Sequence, residues 1–313
     1  MQKENESVTM TKFKRSTVIL ASIGMILATA IWGFAFVIVK EAVDVITPLY
    51  MLAFRFTIAS AVLTILFFKK LKNLNKKIWL HGACLGLWLF LAYVMQTWGC
   101  KYTTAGKNAF ITVTYVVLVP FLAWFLFKEK VDGWSAVSAI LALIGVGFLS
   151  LNGENGINKG DLLTLVCGLL YAVQMVYVDK YTKKEDPLLL TLVQIYVAAA
   201  LSWISAPLID GPVPVAALSK DMVIAMLYLG IGSSAIAFVL QNVGQKYTPP
   251  ATAAVLLSME SVFGVLFSVM ILGEQMDSKM FAGCMIMFIA IIMAETKFQF
   301  LPFVKKKEEY DAG

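Results

Sequence analysis

Arg55 and Glu260 stand out because each falls deep inside a long apolar stretch of the 313-residue sequence. Charge in hydrocarbon is costly, so such residues face a protein interior or a water-filled path. Arg55 lies seven residues past Pro48 and Glu260 ten past Pro250, roughly 10 Å and 15 Å along a helix. Counted from opposite faces of a slab about 30 Å thick, those depths differ by only about 5 Å. At mid-depth Arg55 could hold an anionic group such as a carboxylate, while Glu260 could meet an amine or carry a proton. The plainer alternative is that the two pair with each other or with backbone and only brace a bundle.

A second tier of polar residues shares these stretches. Gln96, Gln174, Gln194 and Gln241 carry amides that both donate and accept, suited to a substrate or equally to a neighbouring helix. Asn108 and Asn242 belong with them. Trp32, Phe36, Tyr93, Tyr171 and Tyr177 could wall an apolar-sided pocket or simply pack, and Tyr115 is a further polar residue within a span. The candidate pathway is therefore Trp32, Arg55, Gln96, Tyr115, Tyr171, Gln174, Gln194, Gln241 and Glu260. Lys40 and Lys180 read as side chains that snorkel to the membrane surface. Glu129 and Glu274 oppose the helix dipole and are expected to accept hydrogen bonds from the turns that follow them. His81 reads as a boundary residue.

Catalysis finds little support. There is no HExxH, no GxSxG and no nucleotide-binding loop, and a single histidine offers neither a triad nor a metal site. Cys84, Cys100, Cys167 and Cys284 lie scattered, without ligand spacing. No cofactor or metal is implied.

The elements that position these residues are apolar runs long enough to cross a bilayer. The chain is 59% hydrophobic and only 15% charged, with a mean hydropathy of +0.79, whereas soluble domains are about a quarter charged. Ten runs are read as spans, starting near Ser16, Pro48, Ile78, Thr104, Trp134, Leu162, Leu188, Asp221, Pro250 and Met280. The segment Gln96–Lys130 returns 145 positions later as Gln241–Gln275, with Gly99, Lys101, Tyr102, Thr103 and Glu129 meeting Gly244, Lys246, Tyr247, Thr248 and Glu274. The earlier part of each half aligns at an offset of 139, so that Arg55 meets Gln194. The chain thus divides into a tail (1–15), a first repeat (16–151), a linker (152–161), a second repeat (162–297) and a closing tail (298–313). Five spans per repeat is odd, so the repeats are inverted. The expected fold is an all-α membrane protein of ten transmembrane helices in two inverted five-helix repeats.

With the N-terminus inside, 19 Lys and Arg fall on the inner side and six outside, Arg55 being the remaining one. That bias puts both termini in the cytosol and the 152–161 linker outside. The net charge of +6 sits in short clusters between spans and does not suggest nucleic-acid binding. Spans five and ten have almost no polar residue at mid-depth, so eight spans are expected to surround a path while these two face lipid or a second copy in a homodimer. Gly145 and Gly147 would permit such close packing or serve internal contacts.

The segments WGFAFVIVKEAVDVITPLYMLAFRF, TTAGKNAFITVTYVVLVPFLAWFLFKEKV and PPATAAVLLSMESVFGVLFSVMILGEQM resemble the EamA-type members of the drug/metabolite transporter superfamily. The resemblance runs from about Ile19 to Glu295. It implies ten spans with cytosolic termini in the cell membrane, and secondary transport, often export, of amino acids or related small metabolites by alternating access. The chain departs from the family pattern after Tyr115 and Glu260, where a proline is common and Val116 and Ser261 stand here. If that proline kinks the helix in relatives, spans four and nine are expected to be straighter in this chain. The rival readings are a flippase for lipid or polyisoprenoid-linked substrates and a non-transporting membrane assembly factor.

Overall fold

The computed structural model describes residues 15–128, 133–150, 158–215, 219–247 and 250–296, and every regular element among them is helical. The helices are α1 (Arg15–Ala42), α2 (Pro48–Phe67, continued by a 3₁₀ turn Phe68–Asn73), α3 (Lys76–Tyr102), α4 (Ala105–Thr112), α5 (Tyr115–Phe127), α6 (Gly133–Ser150), α7 (Lys159–Thr182), α8 (Pro187–Ile209), α9 (Lys220–Leu227), α10 (Ala237–Tyr247), α11 (Pro250–Leu272) and α12 (Ser278–Thr296). A π-helical segment, Tyr228–Ile236, joins α9 to α10 without a break. Among the described residues seven stretches are long and apolar enough to cross a membrane: Thr17–Ala42, Pro48–Asn73, Lys76–Tyr102, Ala105–Phe127, Lys159–Thr182, Pro187–Ile209 and Lys220–Tyr247. Three shorter apolar stretches, Ala136–Gly145, Leu256–Leu272 and Ser278–Met293, accompany them. The chain is a multi-pass membrane protein.

Helix starts follow local chemistry. Asn75, Thr104, Asn158 and Asp186 accept from the N–H groups of Ile78, Lys107, Gly160 and Leu188 at 2.8–3.2 Å, each satisfying an otherwise orphaned donor. Pro48 and Pro187 open α2 and α8, where a missing N–H costs nothing. Helix ends are just as local: α5 stops at Lys128 (φ 60°) and α11 at Gly273 (φ 64°). These two positions are equivalent in the sequence repeat and adopt the same left-handed turn.

Small residues set the helix contacts, as expected where apolar surface gains nothing by leaving lipid. A Cβ at Gly33 would stand 2.4 Å from Phe263 Cβ and 2.8 Å from Gly264 N, so α1 and α11 touch along their backbones. Gly82 and Gly86 admit Val193 and the Gln194 carbonyl, bringing α3 against α8. Gly145 admits Met287 and the Gly283 carbonyl, which spends that glycine on an internal contact of α6 with α12.

Two spans depart from the sequence expectation. Instead of running straight, the fourth breaks at Val113–Thr114 between α4 and α5. Neither proline nor glycine stands there. Thr114 Oγ1 turns back to the Ile111 carbonyl at 2.8 Å, and Gly168 of α7 leaves just enough room for the Thr114 hydroxyl. The sixth span starts at Lys159, three residues earlier than expected, so Asp161 belongs to the first turn of α7 and not to the linker.

Candidate functional site

At the centre of the bundle lies a cavity with about 610 Å³ of empty space, open mouth included. Arg55 comes to it from α2, Trp32 and Phe36 from α1, Tyr93 and Gln96 from α3, Asn108 from α4, Tyr115 from α5, Tyr171 and Gln174 from α7, Ser233 from the π segment, Phe238 and Gln241 from α10, and Glu260 from α11. Of the nine residues expected along a path, eight line this cavity. Gln194 does not: it sits fully buried on α8, one layer behind, with its carbonyl oxygen taking the Gln174 amide at 3.3 Å. Consequently seven of the expected spans form the wall, and α8 supports it from outside. Among the described residues none of α6 or α12 lines the cavity.

Arg55 is held by its neighbours. Its Nε donates to Ser234 Oγ at 3.0 Å, its Nη2 to Ser233 Oγ at 2.9 Å, and the guanidinium lies 4.6 Å above the Tyr93 ring. The π segment makes this possible, because its wider turn brings both serines toward α2 while Gly230 packs on Ile58 and the Arg55 carbonyl. Two bonds fix the segment to α1: Trp32 Nε1 donates to the Ser233 carbonyl and Tyr228 OH to the Ile31 carbonyl, both at 2.8 Å. Among the described residues no ion pair joins Arg55 to Glu260, so mutual bracing by a salt bridge is not what holds them. Glu260 is 7% exposed and faces the cavity.

The amides knit α3, α4 and α7. Gln96 Nε2 donates to Thr112 Oγ1 at 3.3 Å, and Tyr171 OH to Gln96 Oε1 at 3.5 Å. Asn108 Nδ2 donates to the Gln96 carbonyl at 3.2 Å and to Thr164 Oγ1 at 2.9 Å. Asn242 instead bonds Thr191 on α8, away from the cavity. Tyr177 also points elsewhere, stacked on Tyr181 with Phe127 at its edge.

One end of the bundle carries a polar cluster. Lys40, expected to snorkel, instead donates to the Thr103 carbonyl at 2.7 Å and the Cys100 carbonyl at 3.0 Å, capping α3. Thr103 Oγ1 donates to the buried Asp161 at 2.5 Å, and Lys107 Nζ lies 3.9 Å from the other Asp161 oxygen. Glu274 accepts from Ala105 N at 2.7 Å and Gly106 N at 3.0 Å. It thus serves the N-terminus of α4 and not its own following turn, a position where helix dipole and orphan donors both favour a carboxylate. Glu129, its repeat equivalent, lies outside the described residues. At the opposite end Lys180 lies 3.5 Å over the Phe127 ring, Lys70 pairs with Asp186 at 2.5 Å, and His81 stacks on Tyr181 with its Nδ1 3.6 Å from Glu185.

Sequence reasoning missed Ser233, Ser234, Thr112 and Asp161. The Gly-Ser-Ser run at 232–234 carried the one available signal, small hydroxyl residues gathered inside an apolar span.

Comparison with known proteins adds a family. The sequence profile of the EamA-like transporter family matches residues 19–151 and 158–296. An uncharacterized transporter of Archaeoglobus fulgidus is 33% identical over 277 residues, spanning 88% of this chain and 86% of that one. The uncharacterized transporter YoaV of Bacillus subtilis is 23% identical, over 87% and 95% of the two chains. A crystal structure at 18% identity superposes with a TM-score of 0.66 over 93% of this chain and 99% of that one, a likeness of fold alone.

Proposed function

Since this chain belongs to the EamA-like transporter family, we propose that it is a secondary carrier that exports small metabolites, amino acids or related compounds, across the cell membrane. The observation that carries this reading is the mid-bundle cavity, to which both halves bring costly polar groups. The relatives named above are described as transporters. On this reading the three shorter apolar helices also cross, giving ten spans in two inverted repeats with both termini cytosolic. The matching left-handed exits at Lys128 and Gly273 support the duplication. The apolar faces of α6 and α12 are left to lipid or to a second copy.

Transport proceeds by alternating access, one repeat rocking against the other. By the Lys and Arg count the Lys40–Thr103–Asp161 cluster lies at the extracytoplasmic end, where it ties α1, α3 and α7 together. At the other end Lys180 lies over the Phe127 ring and Lys70 pairs with Asp186.

The test is counterflow of a mixed pool of labelled amino acids and other small metabolites in proteoliposomes, wild type beside Arg55→Ala. Saturable flux with the wild type is expected. Its absence across the pool, with the protein folded in the vesicles, would overturn the reading.

A further inference from the structure

Most of the cavity's donors are bonded within the protein, with Arg55 Nη1 and the Gln241 amide nitrogen left over among the described residues. The Trp32 indole, Arg55 Nε and Nη2, the amides of Gln96, Asn108 and Gln174, and the Tyr171 hydroxyl all donate to acceptors within the protein. Three acceptors stay open. Asn108 Oδ1 and Gln241 Oε1 are buried without a partner, and among the described residues no donor reaches the Glu260 carboxylate. Asn108 is 0%, Gln241 6% and Glu260 7% exposed, and all three line the cavity. The orientation of Asn108 is dictated by chemistry, since its Nδ2 meets the Gln96 backbone carbonyl, which can only accept.

A buried acceptor without a donor costs free energy that a ligand can recover. Arg55 spends two of its five N–H donors on serine hydroxyls and lies against the Tyr93 face. We infer that the cavity recognises its substrate through a protonated primary amine or a guanidinium, directed to Glu260, Gln241 and Asn108. Trp32 and Phe238 present aromatic surface that suits such a cation. A quaternary ammonium, which has charge but no N–H, leaves all three acceptors unmet. The inference rests on the transport reading only in taking the cavity as the substrate site.

Four matched probes test it on the purified full chain by thermal stabilisation: phenethylamine, phenylalanine, 3-phenylpropionate and N,N,N-trimethylphenethylammonium. Phenethylamine and phenylalanine should stabilise the protein, and the other two should not. Glu260→Gln should weaken phenethylamine binding roughly tenfold or more, the scale of one charge-assisted hydrogen bond, whereas Glu260→Asp should retain most of it. Stabilisation by 3-phenylpropionate without phenethylamine, equal stabilisation by the trimethyl compound, or none by any probe overturns the inference. Counterflow of the mixed pool, run in parallel, separates the two readings. Flux without amine binding sinks only the amine, and amine binding without flux of any metabolite sinks the carrier while keeping the site.

Discussion

Lys40 Nζ sits 2.7 Å from the Thr103 carbonyl oxygen, so the last turn of α1 is fastened to the C-terminus of α3. A cation here satisfies orphan carbonyls and opposes the negative end of the helix dipole. Lys40→Met should remove both bonds and destabilise the protein by about 1–3 kcal/mol, with Lys40→Arg intermediate. Thermal unfolding of the purified chain in detergent reads this directly; an unchanged midpoint would show that water replaces the ammonium at no cost.

Glu274 performs the complementary task at the start of α4 through Ala105 N and Gly106 N. Glu274→Gln keeps the shape and drops the charge, and should cost about 1–2 kcal/mol. Protection of the α4 amides in hydrogen exchange should fall more than that of α8, which this carboxylate does not touch. Equal protection in both helices would contradict the assignment.

Backbone contact between α1 and α11 leaves no space for a methyl group at Gly33. Gly33→Ala should therefore separate the two helices and cost about 1–3 kcal/mol, lowering the folded yield. At Gly133 an added Cβ meets nothing within 4 Å, so Gly133→Ala is the neutral comparison. Similar yields from both variants would refute the packing argument.

Lys128 holds a left-handed backbone at φ 60° where its repeat equivalent is Gly273. A side chain in that region costs about 1–2 kcal/mol, part of which glycine returns as lost chain freedom. Lys128→Gly should raise stability by about 0.5–1 kcal/mol, seen as a higher unfolding midpoint.

Asp186 caps α8 and pairs with Lys70. Burial pushes its carboxyl up, but the Lys70 hydrogen bond and the Leu188 N–H outweigh that and leave it lowered. A lowered folded pKa means stability that is present above the ordinary carboxylate range and lost as pH falls through the folded value. The pair is partly exposed, so the contribution is small. Asp186→Asn keeps the cap and removes the charge; its deficit against wild type should be present at neutral pH and vanish in acid. A deficit independent of pH would assign the effect to capping alone.

Residues expensive in hydrocarbon were legible from the sequence, because Arg55, Glu260 and the glutamines have no inexpensive place in an apolar helix except against protein or water. What hydropathy does not encode is rotation about the helix axis. Gln194 and Gln174 look alike in their spans, yet one lines the cavity and the other stands behind it. Ser233 and Ser234 gave little warning because a hydroxyl in a helix can always return to a backbone carbonyl. The break at Val113–Thr114 was hidden for a related reason. It depends on Gly168, far along the chain, and not on any local breaker.

The nine-residue π-helical segment between α9 and α10 closes wider turns than an α-helix, each hydrogen bond reaching five residues on. Loss of a single codon there would re-index the helix beyond it by about 100°, carrying Phe238 and Gln241 off the cavity wall and withdrawing the serines from Arg55. Such a deletion would leave the hydropathy profile almost unchanged. A homologue with one in-frame deletion there would carry a different cavity wall behind a nearly identical hydropathy profile.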